Sequence, residues 1–182
     1  MKLLLFVFIS FMPFHIGAQN NAENSSVTRL KYPSNFSELI GPFKGKVIYI
    51  DIMASWCKPC LEELKYHKKL DDFFAEKDII KLFISIDEPE SIEKCFQILE
   101  KNDMKGFFSS YHSPQKGGTK KGDYIKTIEK MFITYDNEGN FSGMSIPQYI
   151  IVDRNGKIAE YKASRPGDKD SLKKQLSSYL DN

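Results

Sequence analysis

The most constraining feature of this chain is a change of hydrophobic period around two cysteines. Lys46-Val47-Ile48-Tyr49-Ile50-Asp51-Ile52 is short, apolar and β-branched, with Gly45 before it and Ala54-Ser55 after it. Such a run reads as a buried strand. From Pro59 the period becomes helical. Leu61, Leu64, Leu70, Phe73 and Phe74 share one face, and Lys65, Lys68, Lys69 and Asp72 the other. The strand hands over to the helix at Trp56-Cys57-Lys58-Pro59-Cys60.

The same alternation continues. Residues 79–86 read as a second buried strand, and Ile92, Cys95, Phe96 and Leu99 recur at helical spacing, which predicts a helix over 89–101. Between Gly106 and Ser145 the pattern weakens. Residues 113–122 read as a Pro/Gly/Lys loop, 123–131 as a helix, and 132–141 as a hairpin turning at Asp136-Asn137-Glu138-Gly139. Gln148 to Asp153 is a strand. Asn155-Gly156 is a hairpin turn signal, and residues 157–163 are expected to pair back. Leu172, Leu176, Tyr179 and Leu180 mark a terminal amphipathic helix. The order predicts an α/β fold, a central mixed sheet flanked by helices on both faces.

The first 18 residues have the order of a secretory signal peptide: Lys2, an apolar stretch to about Ile16, then Gly17-Ala18. The apolar stretch is interrupted by Ser10 and Pro13, and a membrane span needs about 20 apolar residues. An uncleaved N-terminal anchor is the alternative. Residues 19–34 are expected to be a linker or N-terminal extension, and 35–182 the domain. The protein is therefore expected to be exported and periplasmic, without stable membrane insertion after cleavage, and to act as a monomer. A formal charge of +2 leaves no broad basic field for nucleic acid.

Three cysteines are present. A domain of this size folds without a disulfide framework, and two cysteines so close together restrain little chain. Cys57 and Cys60 therefore read as chemical rather than structural. At a helix N-terminus the unpaired N–H groups and the positive dipole end stabilise a thiolate at Cys57, the nucleophilic form. Cys60, one turn on, can then resolve a mixed disulfide. Pro59 suits an early helical position, and Lys58 adds a small, screened positive charge. Zinc is the main structural alternative. It needs four ligands, and no second pair exists; His67 lies two turns along the helix and His112 far away in a loop. No metal or other cofactor is expected. His67 reads as a solvated helix residue.

Asp51 lies six residues before Cys57 inside an apolar strand. A buried carboxyl group there costs free energy unless it has a task or a partner. It is either a proton acceptor for Cys60 or a residue facing a polar surface. Ile146-Pro147 enters a strand, so Pro147 is either a trans turn proline or part of a cis bond that sets the Ile146 backbone against the cysteines. Cys95 reads as a small core residue on its helix.

Residues 47–64 and 145–158, which include Trp56-Cys57-Lys58-Pro59-Cys60 and Ile146-Pro147, resemble the thioredoxin superfamily, and within it the exported TlpA-like thiol–disulfide oxidoreductases. The resemblance covers about Phe36 to Leu180 and implies a thioredoxin fold with an insertion before the cis-proline strand. It implies that Cys57 attacks and Cys60 resolves. It sets Asp51 on the position of the family's buried acid, Pro147 on its cis-proline and Trp56 on its aromatic. Trp56, Lys58 and Ile146 would meet the substrate. Partners would be protein disulfides or dithiols and a separate redox partner. Met53 departs from the aromatic residue of many relatives, and Lys58 from their Gly, Pro or Glu, so the redox poise does not transfer. A thiol peroxidase on the same fold, or a non-catalytic binding or metal-handling domain, is the competing reading.

Overall fold

The computed structural model describes residues 27–114 and 122–180. The expected signal peptide, the first part of the linker and most of the 113–122 loop lie outside them. Strands are β1 (Val27–Arg29), β2 (Ile48–Met53), β3 (Ile80–Ser85), β4 (Gly106–Ser110), β5 (Ile133–Tyr135), β6 (Phe141–Met144), β7 (Gln148–Val152) and β8 (Ile158–Glu160). Helices are α1 (Phe36–Ile40), α2 (Lys58–Lys68), α3 (Asp71–Glu76), α4 (Ile92–Lys101), α5 (Asp123–Phe132) and α6 (Lys169–Ser177).

Six strands form one sheet in the order β1-β4-β3-β2-β7-β8. The β1, β4, β3 and β2 neighbours pair in parallel, while β7 and β8 run antiparallel. β5 and β6 make a separate hairpin. This is the expected mixed sheet. β2 is buried at all six residues because both its faces are covered. On one face Ile48, Ile50 and Ile52 join a core with α1, α4 and α5. On the other, Val47 and Tyr49 pack with Leu70 and Phe74 near α3 and with Leu172 and Leu176 of α6.

Several expectations need correction. The helix from Pro59 is two helices, because the Leu70 N–H bonds the His67 carbonyl at 3.0 Å in a tight turn. Residues 106–110, read as the start of an irregular segment, form β4 inside the main sheet. Val27–Arg29, read as part of a linker or extension, pairs with β4 as the edge strand. The Arg29 guanidinium sits 4.0 Å above the Phe96 ring and 2.7 Å from Glu93. The 157–163 strand is shorter, at Ile158–Glu160, although the Ala163 N–H still reaches the Tyr149 carbonyl at 2.8 Å. Its turn is as expected: Gly156 has φ of 81°, and the Asp153 carboxylate accepts the Asn155 and Lys157 N–H groups, each at 2.9 Å.

Candidate active site

β2 delivers its C-terminal end to the loop Ala54–Cys57 and then to α2. β7 runs antiparallel beside it, with Gln148 opposite Ile52. Ile146-Pro147 therefore leaves the sheet at the end where the cysteines lie. The Ile146–Pro147 peptide bond is cis. The Ser145 N–H bonds the Phe132 carbonyl at 2.9 Å, tethering this approach to the end of α5.

Cys57 is the N-cap of α2. Its sulfur accepts the Cys60 N–H at 3.2 Å, and its carbonyl accepts the Leu61 N–H at 3.1 Å. Cys57 and Cys60 form a disulfide with Cα atoms 5.3 Å apart. Cys57 keeps 4% exposure and Cys60 none, so Cys57 is the half of the pair nearer solvent. Pro59 occupies the first turn. Trp56 is 58% exposed beside the disulfide, a large ring held out to solvent. Lys58 is also exposed. Ile146 is half-buried and packs against the core.

Asp51 is 1% exposed in the middle of the sheet, between Phe83 of β3 and Tyr149 of β7. It does not face a polar surface. Burial pushes its carboxyl above the ordinary carboxylate range, and the hydrogen bond from His67 opposes that shift. His67 is the main correction. It is fully buried, and its Nε2 lies 2.8 Å from Asp51 Oδ2. The helix does not hold it in solvent, because the buried residues of α2 are Cys60, Glu63, Leu64 and His67, one face at helical spacing. That spacing from Cys60 was the missed signal; the flanking lysines obscured it.

Two further carboxylates were missed. Asp87 is fully buried just after β3. It accepts the Ser55 N–H at 2.9 Å, the Ser55 hydroxyl at 2.7 Å and the Ser85 hydroxyl at 2.7 Å. It thus fixes the residue two before Cys57. Glu63 accepts the Gly167 N–H at 2.8 Å and lies 3.8 Å from Arg165, joining α2 to the approach of α6. Cys95 is buried outside the disulfide, as expected. Burial and the nearby Asp87 push its thiol well above the usual range. Among the described residues no group of three His, Cys, Asp or Glu side chains is arranged to hold a metal.

The arrangement is a dithiol–disulfide pair at a helix N-terminus, with a buried acid in the strand that leads to it. The chain is 27% identical over 139 residues to the thiol–disulfide oxidoreductase ResA of Bacillus thuringiensis subsp. konkukian, an alignment covering 76% of this chain and 64% of ResA. The chain thus spans less than two thirds of that relative's length. A Bacteroides vulgatus protein assigned as a thiol–disulfide oxidoreductase superposes with a TM-score of 0.54 at 25% identity, covering 77% of this chain and 82% of its own. A thioredoxin-like protein of Porphyromonas gingivalis superposes with a TM-score of 0.51 at 25% identity, covering 75% and 77%. The fold is therefore thioredoxin-like, as the sequence resemblance implied. The Redoxin family pattern matches residues 22–176, from before β1 into α6, and the chain belongs to the Redoxin family.

Proposed function

We propose that this chain is a thiol–disulfide oxidoreductase that reduces disulfides of exported proteins through a dithiol–disulfide cycle at Cys57 and Cys60. The observation that carries the reading is the Cys57–Cys60 disulfide at the N-terminus of α2, with Cys57 at the cap and Cys60 buried behind it. The ResA and Bacteroides vulgatus relatives support it.

In the reduced state the Cys57 thiolate attacks a partner disulfide. A Cys57–partner sulfur bond forms, and the partner's other sulfur leaves as a thiolate. Cys60 then loses its proton to the Asp51 carboxylate. Its electron pair forms the Cys57–Cys60 bond, and the bond to the partner breaks with its pair on the partner's sulfur. The partner is reduced by two electrons and the protein dithiol is oxidised by two. An external dithiol donor restores it. Trp56 and Lys58 flank the attacked disulfide, and the Ile146 backbone beside Pro147 takes the partner chain as an added strand. Residues 1–18 direct export, to the periplasm, and the domain acts as a monomer.

Insulin reduction with an added dithiol donor tests the reading, with peroxide consumption and metal content measured alongside. Turnover of insulin that is lost in Cys57→Ser supports it. Peroxide turnover without insulin reduction, or no turnover at all, overturns it.

A further inference from the structure

The face of α2 that carries Cys60 at its first turn carries His67 two turns further on. His67 Nε2 lies 2.8 Å from Asp51 Oδ2. Asp51 Oδ1 and His67 Nδ1 are both buried, without a hydrogen-bond partner among the described residues. Rings enclose the imidazole: Phe83 of β3 at 5.2 Å between centroids, Tyr49 of β2 at 6.0 Å and Tyr149 of β7 at 6.4 Å. Three aromatic walls and one hydrogen bond leave the carboxylate a single donor on Oδ2 and an open oxygen at Oδ1.

We propose that His67 is a positioning residue: by donating its Nε2 hydrogen to Asp51 Oδ2, it leaves Oδ1 to receive the proton that Cys60 releases. The inference rests on the proton-acceptor role proposed for Asp51. An ionised Oδ2 can only accept, so Nε2 carries the hydrogen of this bond. The bond survives both states of Asp51, because the incoming proton lands on the other oxygen. A hydrogen bond to the charged form favours that form, and desolvation opposes it. Without His67 the buried carboxyl keeps its proton to higher pH and cannot take another from Cys60.

The other charged or titratable groups around the pair do not substitute for it. Tyr49 and Tyr149 are phenols that burial holds above their ordinary range. Cys95 on α4 is held as a thiol in the same way. Glu63 on α2 faces Arg165, an opposite charge 3.8 Å away. Cys60 and Asp51 remain as the groups between which a proton moves, with His67 holding the Asp51 carboxylate through Oδ2.

The test uses the full reduced chain and an aromatic disulfide that releases a chromophore, 5,5′-dithiobis(2-nitrobenzoate). The first release reports attack by Cys57 and the second reports resolution by Cys60. Both are followed by stopped flow from about pH 5 to about pH 9. In His67→Leu the pH midpoint of the second phase should rise by about one unit or more, slowing it about tenfold near pH 7, while the first phase keeps its pH profile. His67→Gln, which retains an N–H donor, should hold the midpoint close to wild type. Should His67→Leu not fold, His67→Asn takes its place, its amide being too short to reach Oδ2. A second phase in the folded variant that superposes on wild type overturns the inference. Asp51→Asn separates the two readings. If it slows the second phase while loss of His67 does not, only the role of His67 fails; if it too leaves the phase unchanged, the acceptor role of Asp51 fails with it.

Discussion

Cys57 and Cys60 are joined by more than their disulfide: the Cys57 sulfur accepts the Cys60 N–H at 3.2 Å, so the Cys57 sulfur is itself the cap of the helix that carries Cys60. A cap position satisfies one of the orphan N–H groups of the first turn. When the pair is reduced, the same N–H and the helix dipole face the Cys57 sulfur and favour its thiolate. Local structure and chemistry are one arrangement here, and substitutions near it should separate cleanly into those that change attack and those that change resolution.

Asp51→Asn should slow release of the mixed disulfide far more than its formation. General acid–base groups contribute about 10²–10⁴-fold, so a loss of at least about tenfold in the second step is expected. Rapid-quench analysis of the mixed disulfide measures both steps. Equal effects on both would remove Asp51 from proton transfer.

The same variant has a stability signature with a defined sign. Burial holds the folded Asp51 carboxyl above its usual range, and the unfolded value is about 3.9. The folded state therefore binds this proton more tightly. Stability from this group is present at low pH and is lost as pH rises from about 4 through the folded value. Asp51→Asn cannot show that loss. Urea midpoints of the two proteins should diverge in favour of Asn across this window and run parallel above it. Midpoints that stay parallel from low pH upward would contradict the burial argument.

Asp87→Ala should destabilise the fold and impair the site together. It strips buried Ser55 and Ser85 of their acceptor, and each unsatisfied buried group costs about 1–3 kcal/mol. For a chain of this size 1 kcal/mol lowers Tm by about 2–4 °C, so a drop of several degrees is expected in a thermal scan. Insulin reduction by the fraction still folded should fall as well, because Ser55 is no longer fixed ahead of Cys57. An unchanged Tm would show that Asp87 does not anchor the loop.

Trp56→Ala should separate binding from stability. The ring is exposed, and exposed positions shift stability by about 0.5 kcal/mol or less. An aromatic anchor in a protein interface contributes about 2 kcal/mol or more, about 30-fold in affinity. KM for a protein disulfide should rise by that order while Tm holds. A small chromogenic disulfide should feel the change far less. Equal losses on both substrates would contradict a docking role.

How much of this was legible in the sequence depended on how strongly each residue's neighbours declared its environment. β2, β3 and β7 announced themselves as apolar β-branched runs because both their faces are covered. β4 did not. Gly-Phe-Phe-Ser-Ser has no β-branched residue, and its first glycine adopts φ of 139° where an added Cβ would lie 2.7 Å from the Lys81 carbonyl oxygen. β1 is three residues whose pairing exists only once β4 is in place. Asp51 was readable because a carboxyl inside an apolar strand has few innocent explanations. His67 differs from its reading as a solvated residue because three lysines lie near it in sequence, and only its spacing from Cys60 puts it on the buried face of α2. Asp87 lies two residues past β3, and nothing in one sequence marks a carboxylate that fixes Ser55, 32 residues earlier.

If Cys57 attacks and Cys60 resolves, the order in which the cysteines are alkylated shows it. Reduced native protein is exposed briefly to iodoacetamide near pH 7 and mapped by mass spectrometry. Early modification is expected at Cys57, with Cys60 and the buried Cys95 unmodified until the protein is unfolded. Modification of Cys60 ahead of Cys57 would contradict it.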